Sequence, residues 1–522
     1  MTPSTTQRKK LPIGIQTFSE IRQEGYYYVD KTALILRLLT EGKYYFLSRP
    51  RRFGKSLLLD TIAELFAGNR ALFTGLHADA HWDWSICCPV VRISLGQGVL
   101  HSRAALDTRI RLLLQDNYTR LGVALPEGQD ASGLLSHLLQ QLHLHSGQRV
   151  VVLVDEYDKP ILDNLTAPDV AREMRDGLRD LYSVLKEQDA HIQFAMLTGV
   201  SKFSKVSLFS GLNHLKDITV DARYSALCGY TDEDMDTVFA PELPGLDREE
   251  IRRWYNGYNW GGTSVYNPFD VLLLLDMRAF RPYWFETGTS TFLIELLRQR
   301  QTFTPGLAQR LTDLDLLSSF DVDRIETDAL LFQSGYLTLH RQEEILPGQW
   351  VYTLGYPNLE VRTSLNRALL PALGVAASQA LHQCSALLRL LRAHDFEGLR
   401  SLFTAFFASV PHDWYRNNPM AQYEGYYASV FYSHFAALGL DIALEDSTSQ
   451  GRIDMAVRFN GGIYLFEFKV VEQHPNGKAL QQLKDRAYAD KYRALGQPIH
   501  LIGVEFSKVQ RSVVAFEVER AG

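Results

Sequence analysis

Arg452-Ile453-Asp454-Met455-Ala456-Val457-Arg458-Phe459-Asn460-Gly461-Gly462-Ile463-Tyr464-Leu465-Phe466-Glu467-Phe468-Lys469 decides the fold of the C-terminal part of this chain. Asn-Gly between two alternating segments marks a two-residue type I′ hairpin turn. The turn pairs Phe459 with Gly462, and counting outward sets Asp454 opposite Glu467 and Arg452 opposite Lys469. Side chains alternate along a strand, so Asp454, Glu467 and Lys469 share one face. Met455, Val457, Phe459, Tyr464, Phe466 and Phe468 take the other face, which reads as core. Two directly opposed carboxylates repel each other. A divalent cation between them is the simplest offset, with the lysine completing a metal-dependent hydrolytic site. The alternative is an exposed hairpin face whose charges are only solvated.

The pattern Asp-x(n)-Glu-x-Lys resembles the core motif of the PD-(D/E)XK nuclease superfamily, with Ile453 where the motif's proline usually stands. That resemblance implies Asp454 and Glu467 as Mg²⁺ ligands and Lys469 as the residue that orients or activates the attacking water. It also implies Glu424, at the start of the preceding helix, as a third metal ligand. Otherwise Glu424 is a helix-start glutamate favoured by the dipole. Gln482, Tyr488 and Lys491 lie on a helical pattern running from Ala479 to Leu495. In related nucleases this helix lines the active site; read alone it is an ordinary amphipathic helix.

Ser48-Arg49-Pro50-Arg51-Arg52-Phe53-Gly54-Lys55-Ser56 sits between a strand candidate, Tyr44–Ser48, and a helical pattern, Ser56–Phe66. A phosphate-binding loop belongs there, because free N–H groups and the dipole at a helix start attract phosphate. Lys55 then reaches the β- and γ-phosphates and the Ser56 hydroxyl ligates Mg²⁺, with Arg52, Phe53 and Gly54 lining the loop. Arg49 stands where the first glycine of the pattern is usual. About a hundred residues on, Val150-Val151-Val152-Leu153-Val154 ends in Asp155-Glu156. Acids at the carboxyl end of a parallel strand point into the ligand crevice. Asp155 is expected to hold the Mg²⁺ and Glu156 to polarise the attacking water. Thr198 closes the next apolar strand, either as a γ-phosphate sensor or as a plain strand-end threonine. Lys202 and Lys205 follow, and their spacing does not decide whether either reaches a phosphate.

The first half alternates apolar runs (Pro89–Leu95 and Phe194–Thr198 are two more) with helical patterns such as Ala171–Glu187, as a parallel α/β sheet does. From about residue 230 short helical segments mix with aromatic loops. From about 371 helices dominate: Ala377–Arg392, Phe396–Phe407 and Glu424–Leu438. The hairpin, a helix and a strand Ile499–Phe506 follow. The 522-residue chain has a net charge of −6 and no apolar run near the roughly 18 residues of a membrane span. Charge is uneven: residues 1–60 hold eleven Lys/Arg against five Asp/Glu, and residues 451–522 eleven against eight. Four cysteines without paired metal spacing fit a reducing cytoplasm.

Several segments, in order along the chain, resemble one bacterial family that pairs an AAA-ATPase-like domain with a C-terminal PD-(D/E)XK domain. They include Leu11–Gly14, Tyr28–Thr32, Arg49–Ser56, Val154–Pro160, Thr198–Leu212, Trp254–Tyr258, Tyr266–Phe269, Leu331–Leu337, Gly355–Val361 and Gly451–Lys469. The family carries Arg-Pro-Arg-Arg-Phe-Gly-Lys-Ser, so Arg49 is a family trait. The resemblance implies an AAA/STAND-like P-loop domain over 1–230 and a helical lid with a winged-helix-like module over 231–370. A PD-(D/E)XK-like α/β domain would follow over 371–522, and Tyr28–Thr32 would pack beside the nucleotide. The expected activity is ATP hydrolysis coupled to Mg²⁺-dependent cleavage of nucleic acid, most simply DNA, with Mn²⁺ able to substitute. The expected setting is a cytoplasmic homo-oligomer, off the membrane, acting in defence against foreign DNA or in DNA repair. The alternative is a regulatory ATPase whose C-terminal domain binds nucleic acid or protein without cleaving it.

Overall fold

The apolar runs become strands: Tyr44–Ser48 (β1), Val90–Ser94 (β2), Val150–Asp155 (β3) and Ile192–Gly199 (β4), joined by the two-residue Lys216–Asp217 (β5). In this computed structural model of the chain, the structure describes residues 8–202, 214–288, 293–294, 296–297, 300, 304–313, 320–321, 324–374, 377–409, 424–448 and 451–521. The five strands form one parallel sheet in the order β2-β3-β4-β1-β5. β1 therefore lies between β4 and β5, and the chain leaves it for the far edge, β2, before stepping back. All carboxyl ends, Ser48, Ser94, Asp155 and Gly199, open on the same side, where α/β sheets bind ligands. The helix Lys55–Phe66 starts directly after the loop that follows β1.

The chain divides into two compact units, Met1–Thr289 with Arg310–Asn358, and Ser290–Gln309 with Leu359–Gly522. Besides the parallel sheet, the first contains the helices Asp232–Thr237, Arg248–Tyr255 and Pro268–Met277. It also holds strands Arg310–Thr312 (β6), Phe320–Asp321 (β7), Arg324–Ile325 (β8), Thr338–Leu346 (β9) and Gln349–Gly355 (β10). β6, β10 and β9 make a small antiparallel sheet. The Trp and Tyr residues of 254–284 are core. Tyr255, Tyr258, Tyr266 and Trp284 are buried, and Tyr258 and Trp260 meet Phe53 edge-on at 4.8 and 5.4 Å. Gly257 has φ +105°, and a Cβ there would collide with the Pro357 carbonyl, so only glycine lets these two segments meet.

In the second unit, Asp441–Thr448 (β11), Gly451–Phe459 (β12), Gly462–Val471 (β13), Ile499–Ser507 (β14) and Ser512–Arg520 (β15) form a sheet in sequence order. It is antiparallel except for β13–β14. The parallel step is made by a crossover through the helix Lys478–Asp485. The expected helix from Ala479 to Leu495 is instead two, Lys478–Asp485 and Asp490–Arg493. The break falls at Ala487, whose φ is +45°. The helix Glu424–Ala437 covers the opposite face, with Phe431 and Phe435 against Phe466 and Phe468 at 5.1–6.1 Å. At Gly503 of β14 an added Cβ would strike the backbone of Leu480, so the crossover helix seats on the sheet through a missing side chain.

Candidate functional site

The hairpin turn has the expected geometry. Asn460 and Gly461 both have positive φ, 50° and 73°, as a type I′ turn requires. The ladder runs from Phe459–Gly462 to Met455–Phe466, the expected register. Among the described residues it stops there, so neither the expected Asp454–Glu467 opposition nor the Arg452–Lys469 one is a pair of the ladder. The Asp454 carboxylate accepts the Phe468 amide at 2.8 Å, which uses a donor that a continued ladder would need.

The face carrying Asp454, Glu467 and Lys469 is not an open charged surface. The crossover helix covers it, and Ala456, Ile463, Leu465, Leu483 and Tyr488 form a second core there. Glu467 is 1% exposed. Its Oε1 lies 3.1 Å from the Lys469 ammonium and also accepts from the Gln482 amide. A lysine and an amide thus stand beside the carboxylate for which repulsion was expected. Tyr488 belongs to the core, and Lys491 is exposed beside the Tyr492 ring. Glu424 opens its helix, but its side chain lies outside the described residues. Sequence reading missed Glu505, a buried acid of β14 whose register partner is Lys469. It accepts from the amides of Asn476 at 2.7 Å and Ala479 at 3.3 Å, holding the start of the crossover helix. Its only sequence signal is an acid inside an apolar strand pattern.

In the first unit the loop after β1 lines a cavity of about 460 Å³ at the carboxyl ends of the strands. That is within the range of small-ligand sites. Gly54 has φ +91° and Arg52 +69°, so the loop turns back over the helix start. Lys55 is 7% exposed, and its ammonium donates to the carbonyls of Arg49 and Pro50, both at 2.9 Å. Burial pushes its pKa down, opposed chiefly by Asp155 and Asp158. The Ser56 hydroxyl donates to Asp155 at 2.5 Å, and Thr198 donates to the other oxygen of Asp155 at 2.8 Å. Loop helix, β3 and β4 thus converge on one carboxylate.

Glu156 lines the cavity with a positive φ of 50°, and its carboxylate fills the space that a side chain at Gly96 would need. Phe53 is among the cavity-lining residues, and its ring packs on Tyr258 and Trp260. Arg52 is exposed at the rim, 4.9 Å above the Phe269 ring. Tyr28 and Lys31 line the other end, and Lys31 pairs with Asp234 at 2.7 Å. Lys202 is tied to Asp217 at 2.5 Å, which occupies it away from a ligand; Lys205 lies outside the described residues. The sequence reading did not single out Asp158. This carboxylate is buried beside Lys55 and accepts the amides of Val200 and Ser201 at 3.0 and 2.6 Å. Burial raises its pKa to about 6. Its signal was the acidic run Asp155-Glu156-Tyr157-Asp158, read only to its second residue.

Among the described residues no group of three or more His, Cys, Asp or Glu is arranged to hold a metal ion. Mg²⁺ commonly takes one or two carboxylates and keeps several waters, so the oxygen donors of Ser56–Asp155 and Asp454–Glu467 still fit it. No helix among the described residues is long and apolar enough to cross a membrane.

Comparison with known proteins finds both domain types in the chain. Residues 12–209 match the model of a predicted AAA-ATPase, and residues 422–516 that of the PD-(D/E)XK nuclease superfamily. An uncharacterized protein from the vnfD 5′ region of Azotobacter chroococcum mcd 1 is 64% identical over 516 residues, covering 99% of this chain and 100% of that protein. The Aeropyrum pernix ORC1 protein, solved in complex with DNA, is 13% identical, with coverage of 65% of this chain and 93% of its own. Its TM-score of 0.25 is too low to support any inference. The chain, together with its Azotobacter relative, belongs to the family that joins an AAA-ATPase-like domain to a C-terminal PD-(D/E)XK nuclease-superfamily domain.

Proposed function

We propose that the protein binds and hydrolyses ATP in the cavity beneath the Arg49–Ser56 loop. We further propose that it couples this to Mg²⁺-dependent cleavage of DNA phosphodiesters at Asp454, Glu467 and Lys469. The observation that carries the reading is convergence. Ser56 and Thr198 both donate to Asp155 beside Lys55, and Glu467 gathers Lys469 and Gln482 on one oxygen. A divalent ion, when bound, polarises the phosphoryl oxygen and makes bound water a better nucleophile.

In the first unit, Lys55 leaves the Arg49 and Pro50 carbonyls for the phosphates. Asp155, oriented by Ser56 and Thr198, holds the metal side of the site, and Glu156 orients the attacking water. In the second, Lys469 exchanges its contact with Glu467 for the scissile phosphate or its water, and Gln482 steadies the carboxylate. Residues 1–230 act as the ATPase, 231–370 as lid and winged-helix-like module, and 371–522 as nuclease. Glu424 serves as a further metal ligand, and the protein works as a cytoplasmic homo-oligomer in defence against foreign DNA or in DNA repair.

A second reading, a nucleotide-driven regulator that binds DNA or protein without cutting, is favoured by the burial of Glu467 and its existing cationic neighbour. Incubating plasmid with the full chain and Mg²⁺ or Mn²⁺ separates the two. Cleavage by wild type should fall by roughly 10²–10⁴-fold in Lys469→Ala while ATPase activity persists. Absence of cleavage by wild type under every nucleotide condition leaves the regulator.

A further inference from the structure

Arg49 is the charged member of the phosphate loop that does not line the cavity. It is 0% exposed and is not among the cavity-lining residues, although Arg51, Arg52 and Phe53 are. Its guanidinium donates to the carbonyls of Ser48 and Thr219, both at 2.8 Å, and of Tyr224 at 3.3 Å. It lies 4.0 Å from the centre of the Trp260 ring. Its Nε is buried and has no hydrogen-bond partner among the described residues. No carboxylate forms an ion pair with it among those residues. The groups whose fields reach it are the Cys228 thiol, whose pKa burial raises, and Asp217, which is already paired with Lys202 at 2.5 Å. Burial accordingly pushes the Arg49 pKa down to about 10, still well above neutrality.

A buried charge without a counter-charge is costly, and proteins normally pair it or neutralise it. This one persists at the first position of the phosphate loop, and its own carbonyl holds the Lys55 ammonium at 2.9 Å. We infer that Arg49 is a nucleotide-affinity residue that never touches the nucleotide. It is a permanent positive charge beneath the loop, and the ligand's phosphates supply its missing counter-charge. This rests on the nucleotide reading and adds a role for the residue that stands in place of glycine. The competing role is a mechanical tie, in which Arg49 only fastens the loop to Thr219, Tyr224 and Trp260.

Charge and fastening are separable by titrating the full chain with Mg²⁺-ATP, ADP and AMP in a calorimeter, with thermal melting without nucleotide alongside. Arg49→Met keeps the apolar stem and removes the charge. It should weaken ATP binding by about tenfold, ADP binding by less and AMP binding little. Its melting temperature without nucleotide should fall, because the Ser48, Thr219 and Tyr224 carbonyls lose their donor, so the charge is read from the ATP-to-AMP affinity ratio and not from the melting temperature. Arg49→Lys keeps the charge but not the three-carbonyl geometry, and should retain most of the ATP-over-AMP preference. Equal losses for all three nucleotides, or the same losses in both variants, overturn the inference and leave the tie. If Arg49→Met does not fold, the ATP-to-AMP affinity ratio of Arg49→Lys decides: preserved, it supports the charge; collapsed, it refutes it. Failure of the wild type to bind any of the three nucleotides would sink the nucleotide reading itself, and this inference with it.

Discussion

The two candidate sites handle their acids in opposite ways. In the first unit Asp155 is held by neutral hydroxyls, Ser56 and Thr198, and the nearby cation, Lys55, is turned onto carbonyls. In the second, Glu467 is met directly by the Lys469 ammonium and the Gln482 amide. One site turns its lysine onto carbonyls while its acid is met by hydroxyls. The other has already joined them, so an incoming cation must compete with a lysine. The two sites thus differ less in which residues are present than in what those residues touch.

Lys55→Ala breaks this comparison most severely. Losing charge-assisted contacts to phosphate should lower ATP affinity by about a hundredfold, read by titration calorimetry. Mn²⁺ binding at the hairpin should be unchanged in the same variant; a parallel loss would mean that the sites are not chemically separate. Next comes Gly503→Ala, which sets a Cβ against the Leu480 backbone. It should destabilise the second unit by about 3 kcal/mol in urea denaturation, the upper end for overpacking. Nucleotide binding should survive, and a stability within experimental error of wild type would show that the crossover helix shifts freely.

Acid sharpens the contrast. His434, buried in the second unit, has its pKa lowered to about 4 by burial. Below the unfolded value of about 6.5, the unfolded chain takes up a proton that the folded one refuses, so stability falls as pH drops from about 6.5 to about 4. Asp158 in the first unit is raised to about 6. Between about 4 and 6 its folded form holds the extra proton, so this group favours folding as pH falls. Calorimetric melting at pH 7 and pH 5 should therefore show the second unit losing ground to the first, and His434→Gln should lessen the gap. A uniform shift of both transitions would contradict the assignment. The smallest effect belongs to the hairpin turn. Asn460→Ala at φ 50° should cost about 1 kcal/mol, measured as a drop in the denaturation midpoint, while Asn460→Gly should be close to neutral.

Much of this was legible because local rules and tertiary packing agreed. β1 matches its apolar run, Tyr44–Ser48, residue for residue, and Asn460-Gly461 set a register that the ladder keeps to Met455–Phe466. Burial was not legible. Alternation assigned Glu467 to a charged face, but that face is roofed by a helix sixteen residues further along at Leu483, and a hairpin pattern says nothing of what packs above it. Glu505 and Asp158 were missed for a related reason. Their importance lies in accepting backbone amides from other segments, and such contacts leave no periodicity in the sequence. The helix break at Ala487 was missed because alanine, the best helix former, carries no warning of a positive φ.

Gly257 and Pro357 meet across a stretch of one hundred residues, and that stretch includes Ser290–Gln309, which belongs to the other unit. A ribosome adding about 5–20 residues per second must therefore carry the nascent first unit unfinished for several seconds, with its aromatic core still waiting for its last partner. During that interval the chain exposes apolar surface next to a loop already competent to form. Early nucleotide capture or a chaperone would shield it, and a stop codon placed shortly before residue 357 should yield aggregates in preference to a smaller working ATPase.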